Sequence, residues 1–137
     1  MNLGVVASAA TLATTPGAER MLVFDHVGIT TTMKQPNENW VGQSRVWVTN
    51  PHDHPERIEF LRYEPDSSVP EAIKKNPHIA FRVDALALHL AAPGVEIIIP
   101  PFTVGDFLEV VFVRKYDTIF EYMHYLKEGW FADGTPG

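Results

Sequence analysis

The chain has 137 residues, 45% of them hydrophobic and 20% charged, which fits one globular domain with a real core and excludes a disordered polymer. Its formal net charge is -6, with only 11 Lys and Arg and no basic cluster, so nucleic acid is not an expected partner. There is no cysteine, which excludes disulfides, thiolate metal sites and thiol nucleophiles, and a reducing cytoplasm is the default compartment.

Residues 1–20 are rich in Ala, Thr and Gly and carry no charge before Glu19. A secretory signal needs a positive n-region, which is missing, and the apolar run is too short and broken to span a membrane. We read 1–20 as a flexible N-terminal extension, with Met21 as an alternative start. Residues 22–31 alternate and are β-branched, so they predict a strand. The polar stretch MKQPNENWVGQ predicts a loop rather than a helix. Residues 45–50 (RVWVTN) predict a second strand, PHDHPE a turn, and 57–64 (RIEFLRYE) a third strand antiparallel to the second. Residues 65–77 read as a linker with one helical turn at EAIKK.

The second half opens with a strand at 78–83. Asp84 is an expected N-cap for a short helix, ALALHLAA, ended by Pro93 and Gly94. Strands are predicted at 95–99, stopping at Pro100 and Pro101, then at 107–114 and 118–126. This half reads β-α-β-β-β, and the first half reads as the same unit with its helix missing or collapsed. The predicted fold class is therefore α+β: two βαβββ-type modules, about 21–64 and 78–127, forming an open barrel-like cleft, followed by a tail at 128–137.

Four residues give the repeat its chemistry. His26 (FDHVGIT) and His78 (PHIAFRV) lie on the first strand of each half, and Glu59 (RIEFLRY) and Glu121 (IFEYMHY) on the last. Each sits among residues that belong in a core. Two imidazoles and two carboxylates form a ligand set for one divalent ion, with zinc, nickel, cobalt, manganese and iron(II) as candidates. Taken singly, each residue is as well explained by a core hydrogen bond or a surface position. The repeated placement favours metal. His52 and His54 lie in a polar turn, His89 in the short helix, and His124 has the opposite strand parity to Glu121, so none of these is an expected ligand.

In these segments the chain resembles the vicinal oxygen chelate superfamily, which includes glyoxalase I, fosfomycin and bleomycin resistance proteins, extradiol dioxygenases and methylmalonyl-CoA epimerase. The resemblance covers 21–126 and rests on DHVGI, HIAFRVD and FEYM, with IEFL similar to the IEL segment of glyoxalase I. It implies two modules curled around a metal, with His26, Glu59, His78 and Glu121 on the four metal positions. It also implies a homodimer, as in many members. Two features depart from the family: the first helix is absent, and Arg114–Asp117 replace the usual Asp-Pro-Asp-Gly turn.

Residues two away from a ligand share its face of a strand, which nominates Phe24, Gly28, Arg57, Leu61, Ala80, Arg82, Ile119 and Met123 for the pocket. Arg82 suits an anionic substrate group, or equally a salt bridge at the sheet rim. The resemblance implies a lyase or isomerase acting on a small oxygen-chelating substrate, with a metal-stabilised enolate and Glu121 or Glu59 as the base. The alternatives are a dioxygenase using two histidines and one carboxylate on iron(II), and a non-catalytic binding or resistance protein with Trp40, Trp47 and Phe60 lining an aromatic groove.

Overall fold

The computed structural model describes residues 22–128, and the expected extension at 1–20, Met21 and the tail at 129–137 lie outside them. The longest strands form where apolar residues alternate or run together: β1 (Leu22–Thr30), β4 (Ile58–Tyr63), β5 (His78–Val83), β6 (Glu96–Val104), β7 (Leu108–Lys115) and β8 (Thr118–Tyr125). Two short strands, β2 (Asn39–Val41) and β3 (Val46–Val48), precede β4. A 3-10 turn at Pro51–Asp53, capped by the Asn50 side chain, joins β3 to β4. One sheet contains all eight strands in the order β2-β3-β4-β1-β5-β8-β7-β6. β1 runs parallel to β4, β5 runs parallel to β8, and β1 meets β5 antiparallel at the centre.

The sheet is mixed and curls into a half-barrel. Its two ends approach each other, and Gln43 beyond β2 donates from Nε2 to the carbonyl of Thr103 on β6 at 2.8 Å. Inside the curl, Val41, Val48, Leu61, Val110, Phe112 and Met123 belong to one buried cluster. Outside it, Val83, Leu86, Val111, Val113 and Tyr122 form a second, smaller cluster.

Helix is scarce. α1 (Glu71–Lys74) is the single turn expected at EAIKK, and its Ile73 is buried in the inner cluster. The helix expected over 85–92 shrinks to α2 (Ala87–Leu90), preceded by Leu86 rather than capped by Asp84. Four residues cannot hold a helix by propensity, and α2 is kept by Leu86 and Leu90 packing on the outer cluster. No helix forms between 32 and 43, as expected, but β2 does, within the stretch expected to be a loop.

β6 also corrects the sequence reading. It runs on through Pro100 and Pro101 to Val104, with register shifts on either side of Ile99. β6 is an edge strand, where a missing backbone N–H breaks no ladder bond with a further neighbour. None of the helices in the described residues is long and apolar enough to cross a membrane.

Candidate metal centre

Four neighbouring strands each supply one donor. In the order β4, β1, β5, β8 they carry Glu59, His26, His78 and Glu121. Register sets the donors in two rows: Glu59 and His78 are level with Gly28, and His26 and Glu121 are level with Ala80. All four are buried, with exposures from 0% to 7%. The two rows leave room for each other because Gly28 and Ala80 are small. The His78 ring lies against Gly28, where an added Cβ would sit 2.0 Å from Cε1 and 2.3 Å from Nε2.

The four donor atoms lie within 4.8 Å of one another. His26 Nε2 is 3.2 Å from Glu59 Oε1 and 3.3 Å from Glu121 Oε1. His78 Nε2 is 3.6 Å and 3.2 Å from the same two oxygens. Around an ion with bonds of about 2.1 Å, adjacent donors are about 3.0 Å apart at a right angle and about 3.4 Å apart at the tetrahedral angle. Direct hydrogen bonding explains the spacing less well, because Nε2 of His78 is close to both carboxylates yet aligned for a hydrogen bond to neither. Two ionised carboxylates also balance a divalent charge, which matters in a buried site. The group can therefore hold a divalent metal ion, and zinc, nickel, cobalt, manganese and iron(II) all suit its ligands.

Behind His26 lies a support that the sequence reading missed. Asp25 is fully buried and its Oδ2 is 2.6 Å from His26 Nδ1, which holds a proton on Nδ1 and points Nε2 toward Glu59 and Glu121. His52 Nε2 is 3.0 Å from the other Asp25 oxygen, and Arg57 donates from Nε to the Asp25 carbonyl at 2.6 Å. Burial pushes the Asp25 carboxyl up, but hydrogen bonds from His26 and His52 outweigh it and hold the group well below the usual carboxylate range. An Asp buried beside His in an apolar strand was the available signal, since such a charge must be paired. Asp25→Asn, which keeps the shape and removes the charge, is expected to weaken metal binding by roughly 10–100-fold. Competition with a chromophoric chelator reads this, and unchanged affinity would make Asp25 a packing residue only.

The four candidate ligands divide into protonated imidazoles and ionised carboxylates. Burial lowers both imidazoles, but Glu59, Asp25 and Glu121 lift His26 well above its ordinary value, and Glu121 and Glu59 lift His78. Burial raises the two glutamates, and His26 and His78 more than reverse this, so both stay ionised near neutrality. Metal must therefore displace protons from imidazoles and not from carboxylates. Affinity should fall as pH drops through the raised imidazole values, earlier than for ordinary histidines, with up to two protons released per ion. Calorimetry in buffers of different ionisation enthalpy measures the number, and no proton release at neutral pH would contradict the assignment.

No protein-family model matches the chain, and no curated protein matches it. A solved structure shares its fold. The crystal structure of hypothetical protein BH1468 from Bacillus halodurans C-125 matches with a TM-score of 0.60 at 18% identity, over 81% of this chain and 98% of that one. At that identity the likeness bears on the curled sheet, and the chemistry of the site rests on its own residues.

A cavity of about 70 Å³ opens beside the carboxylates of Glu59 and Glu121, and Leu61 lines it as expected. Other pocket nominees lie elsewhere. Phe24 is 43% exposed and packs edge-on against Phe81, away from the ligands. A bulge between Phe24 and His26 breaks the parity on which its nomination depended. Arg82 stacks over the Tyr125 ring at 3.9 Å and lies 3.6 Å from Glu128, outside the cavity. Arg57 holds Asp25, and Met123, Ile119 and Ala80 are core residues.

Trp40 and Trp47 pair across β2 and β3 and have the opposite parity to the cavity-lining Val41 and Val46. Phe60 lines a separate open groove of about 510 Å³ with His54. His89 stacks on Tyr122, and His124 lies 3.4 Å from Glu109, so neither is near the ligands.

Proposed function

We propose that this chain is a divalent-metal-dependent lyase or isomerase of the vicinal oxygen chelate type, acting on a small substrate that offers oxygen donors. The observation that carries the reading is the convergence of His26, Glu59, His78 and Glu121 from four adjacent strands. Strand order supports it: β1 to β4 reads as one βαβββ-type module without its helix, and β5, α2, β6, β7 and β8 read as the second. In each, the first strand is parallel to the last.

An ion held by the four donors supplies Lewis acidity, which lowers the pKa of a C–H bond beside a carbonyl. Glu121 and Glu59 border the cavity and are ionised, so either can take a proton from carbon and return it. Glu121 is the first choice of base, because its half follows the family pattern more closely. The apolar walls limit water around the reacting carbon. Glu59 weighs against a site of two histidines and one carboxylate, since it is buried within the group rather than turned to solvent.

The test is carbon-bound hydrogen exchange. Metal-loaded protein in deuterium oxide, offered small 2-hydroxy and 2-oxo carbonyl compounds, should catalyse deuterium uptake at the carbon next to the carbonyl, and Glu121→Gln should abolish it. Tight metal without exchange on any of these would move the reading to oxygen activation, and purified protein without metal would move it to a sequestering role. All four donors come from one chain, so the homodimer that we also propose is not required to build the site, and light scattering tests it separately.

A further inference from the structure

We propose that the site takes a ligand whose oxygen-donor end is followed by a short, uncharged hydrocarbon tail, and that Ile73 sets the tail's length. The inference rests on the metal-binding reading above and deepens it by naming a substrate class. Its basis is the cavity that leads away from Glu59 and Glu121. The walls include Val48, Leu61, Ile73, Phe102, Val110 and Phe112. Apart from the two glutamates, the polar groups lining it are Ser44 and Tyr63, and no Lys, Arg or His lines it. An anionic tail would be buried with no Lys, Arg or His to pair it, and a cationic tail would find both carboxylates already engaged by the ion. A neutral tail meets neither penalty.

Size narrows the class further. A cavity of about 150 Å³ accepts benzene. The volume here, about 70 Å³, suits a tail of roughly two to four carbons. Part of its wall comes from the segment between the two halves of the chain. Ile73, 1% exposed on α1, lines the cavity together with Val69. That segment is pinned by Ser67 Oγ donating to the Ser44 carbonyl at 2.7 Å, and by Lys74 Nζ donating to the Ser67 carbonyl at 2.8 Å.

The test uses cobalt(II)-loaded protein and follows its visible spectrum during titration with straight-chain alkyl hydroxamates, which present two oxygens and a tail of chosen length. Affinity should rise roughly three- to fourfold per added methylene while the tail fits. It should then fall about tenfold once the tail passes about four carbons. Succinyl monohydroxamate, with a charged tail, should bind at least about tenfold more weakly than the butyryl compound. Ile73→Ala should move the break to longer tails, and Phe102→Leu serves the same purpose if Ile73→Ala does not fold. Affinity that keeps rising with tail length, or equal binding of the charged tail, overturns the inference while leaving the metal reading intact. Failure of cobalt to bind overturns the metal reading, and the inference with it.

Discussion

His78→Ala protein is expected to emerge from purification, or from dialysis against zinc or nickel, without stoichiometric metal, and the parent chain is expected to carry one ion. Loss of an outer partner such as Asp25 costs roughly 10–100-fold in affinity, and loss of a direct donor should exceed that. The substitution also leaves Glu59 and Glu121 buried with one fewer positive or coordinating neighbour. Breaking a buried ion pair in this way costs about 3–5 kcal/mol, so the apo variant should also melt at lower temperature. Glu121→Gln tests the same assignment from the carboxylate side. It keeps volume and packing, removes one anionic donor, and also takes an ionic partner from His26 and His78, so the readout is metal affinity and not the apo melting temperature. If Glu121→Gln binds metal as tightly as the parent by elemental analysis and chelator competition, Glu121 is not a ligand.

The parts of this site that were legible in the sequence are those governed by strand parity and by residue chemistry. Glu59, Leu61 and Glu121 lie on the expected faces because β4 and β8 run without register shifts. Phe24 failed because a bulge, which leaves no mark in an apolar–polar pattern, separates it from His26 by an extra half-step. Pro100 and Pro101 read as a stop, yet β6 continues, because whether a proline breaks a strand depends on whether that strand is an edge. Arg82 has the right parity, but its guanidinium finds the Tyr125 ring, and local sequence does not reveal contacts between strands.

Asp25 and His52 are 27 positions apart, and only the fold brings them together behind His26. The Val69 and Ile73 wall of the cavity was invisible for the same reason. Val69 and Ile73 look like ordinary apolar residues of a linker until the sheet curls beneath them.

Gly28→Ala should cripple the site although residue 28 offers no donor. The backbone is not the reason, because Gly28 is not among the residues with positive φ. The obstacle is the imidazole of His78, which would lie 2.0 Å from the new methyl at Cε1, 2.3 Å at Nε2 and 2.6 Å at Nδ1. The ring would have to leave its place, or β1 and β5 would have to part. Overpacking of this kind costs about 1–3 kcal/mol, and swinging the ring away takes Nε2 out of the donor group. Metal affinity should therefore fall toward that of His78→Ala, with a lower melting temperature in the apo protein.

The double variant decides the cause. With His78 already replaced by Ala, the methyl at position 28 enters vacated space, so Gly28→Ala should cost little there, and the two changes should be strongly non-additive. Ala80, which lies level with His26 as Gly28 lies level with His78, shows that the matching position carries a methyl group. An equal loss of stability from Gly28→Ala in both backgrounds would trace the glycine to strand geometry instead, and would detach it from the metal site.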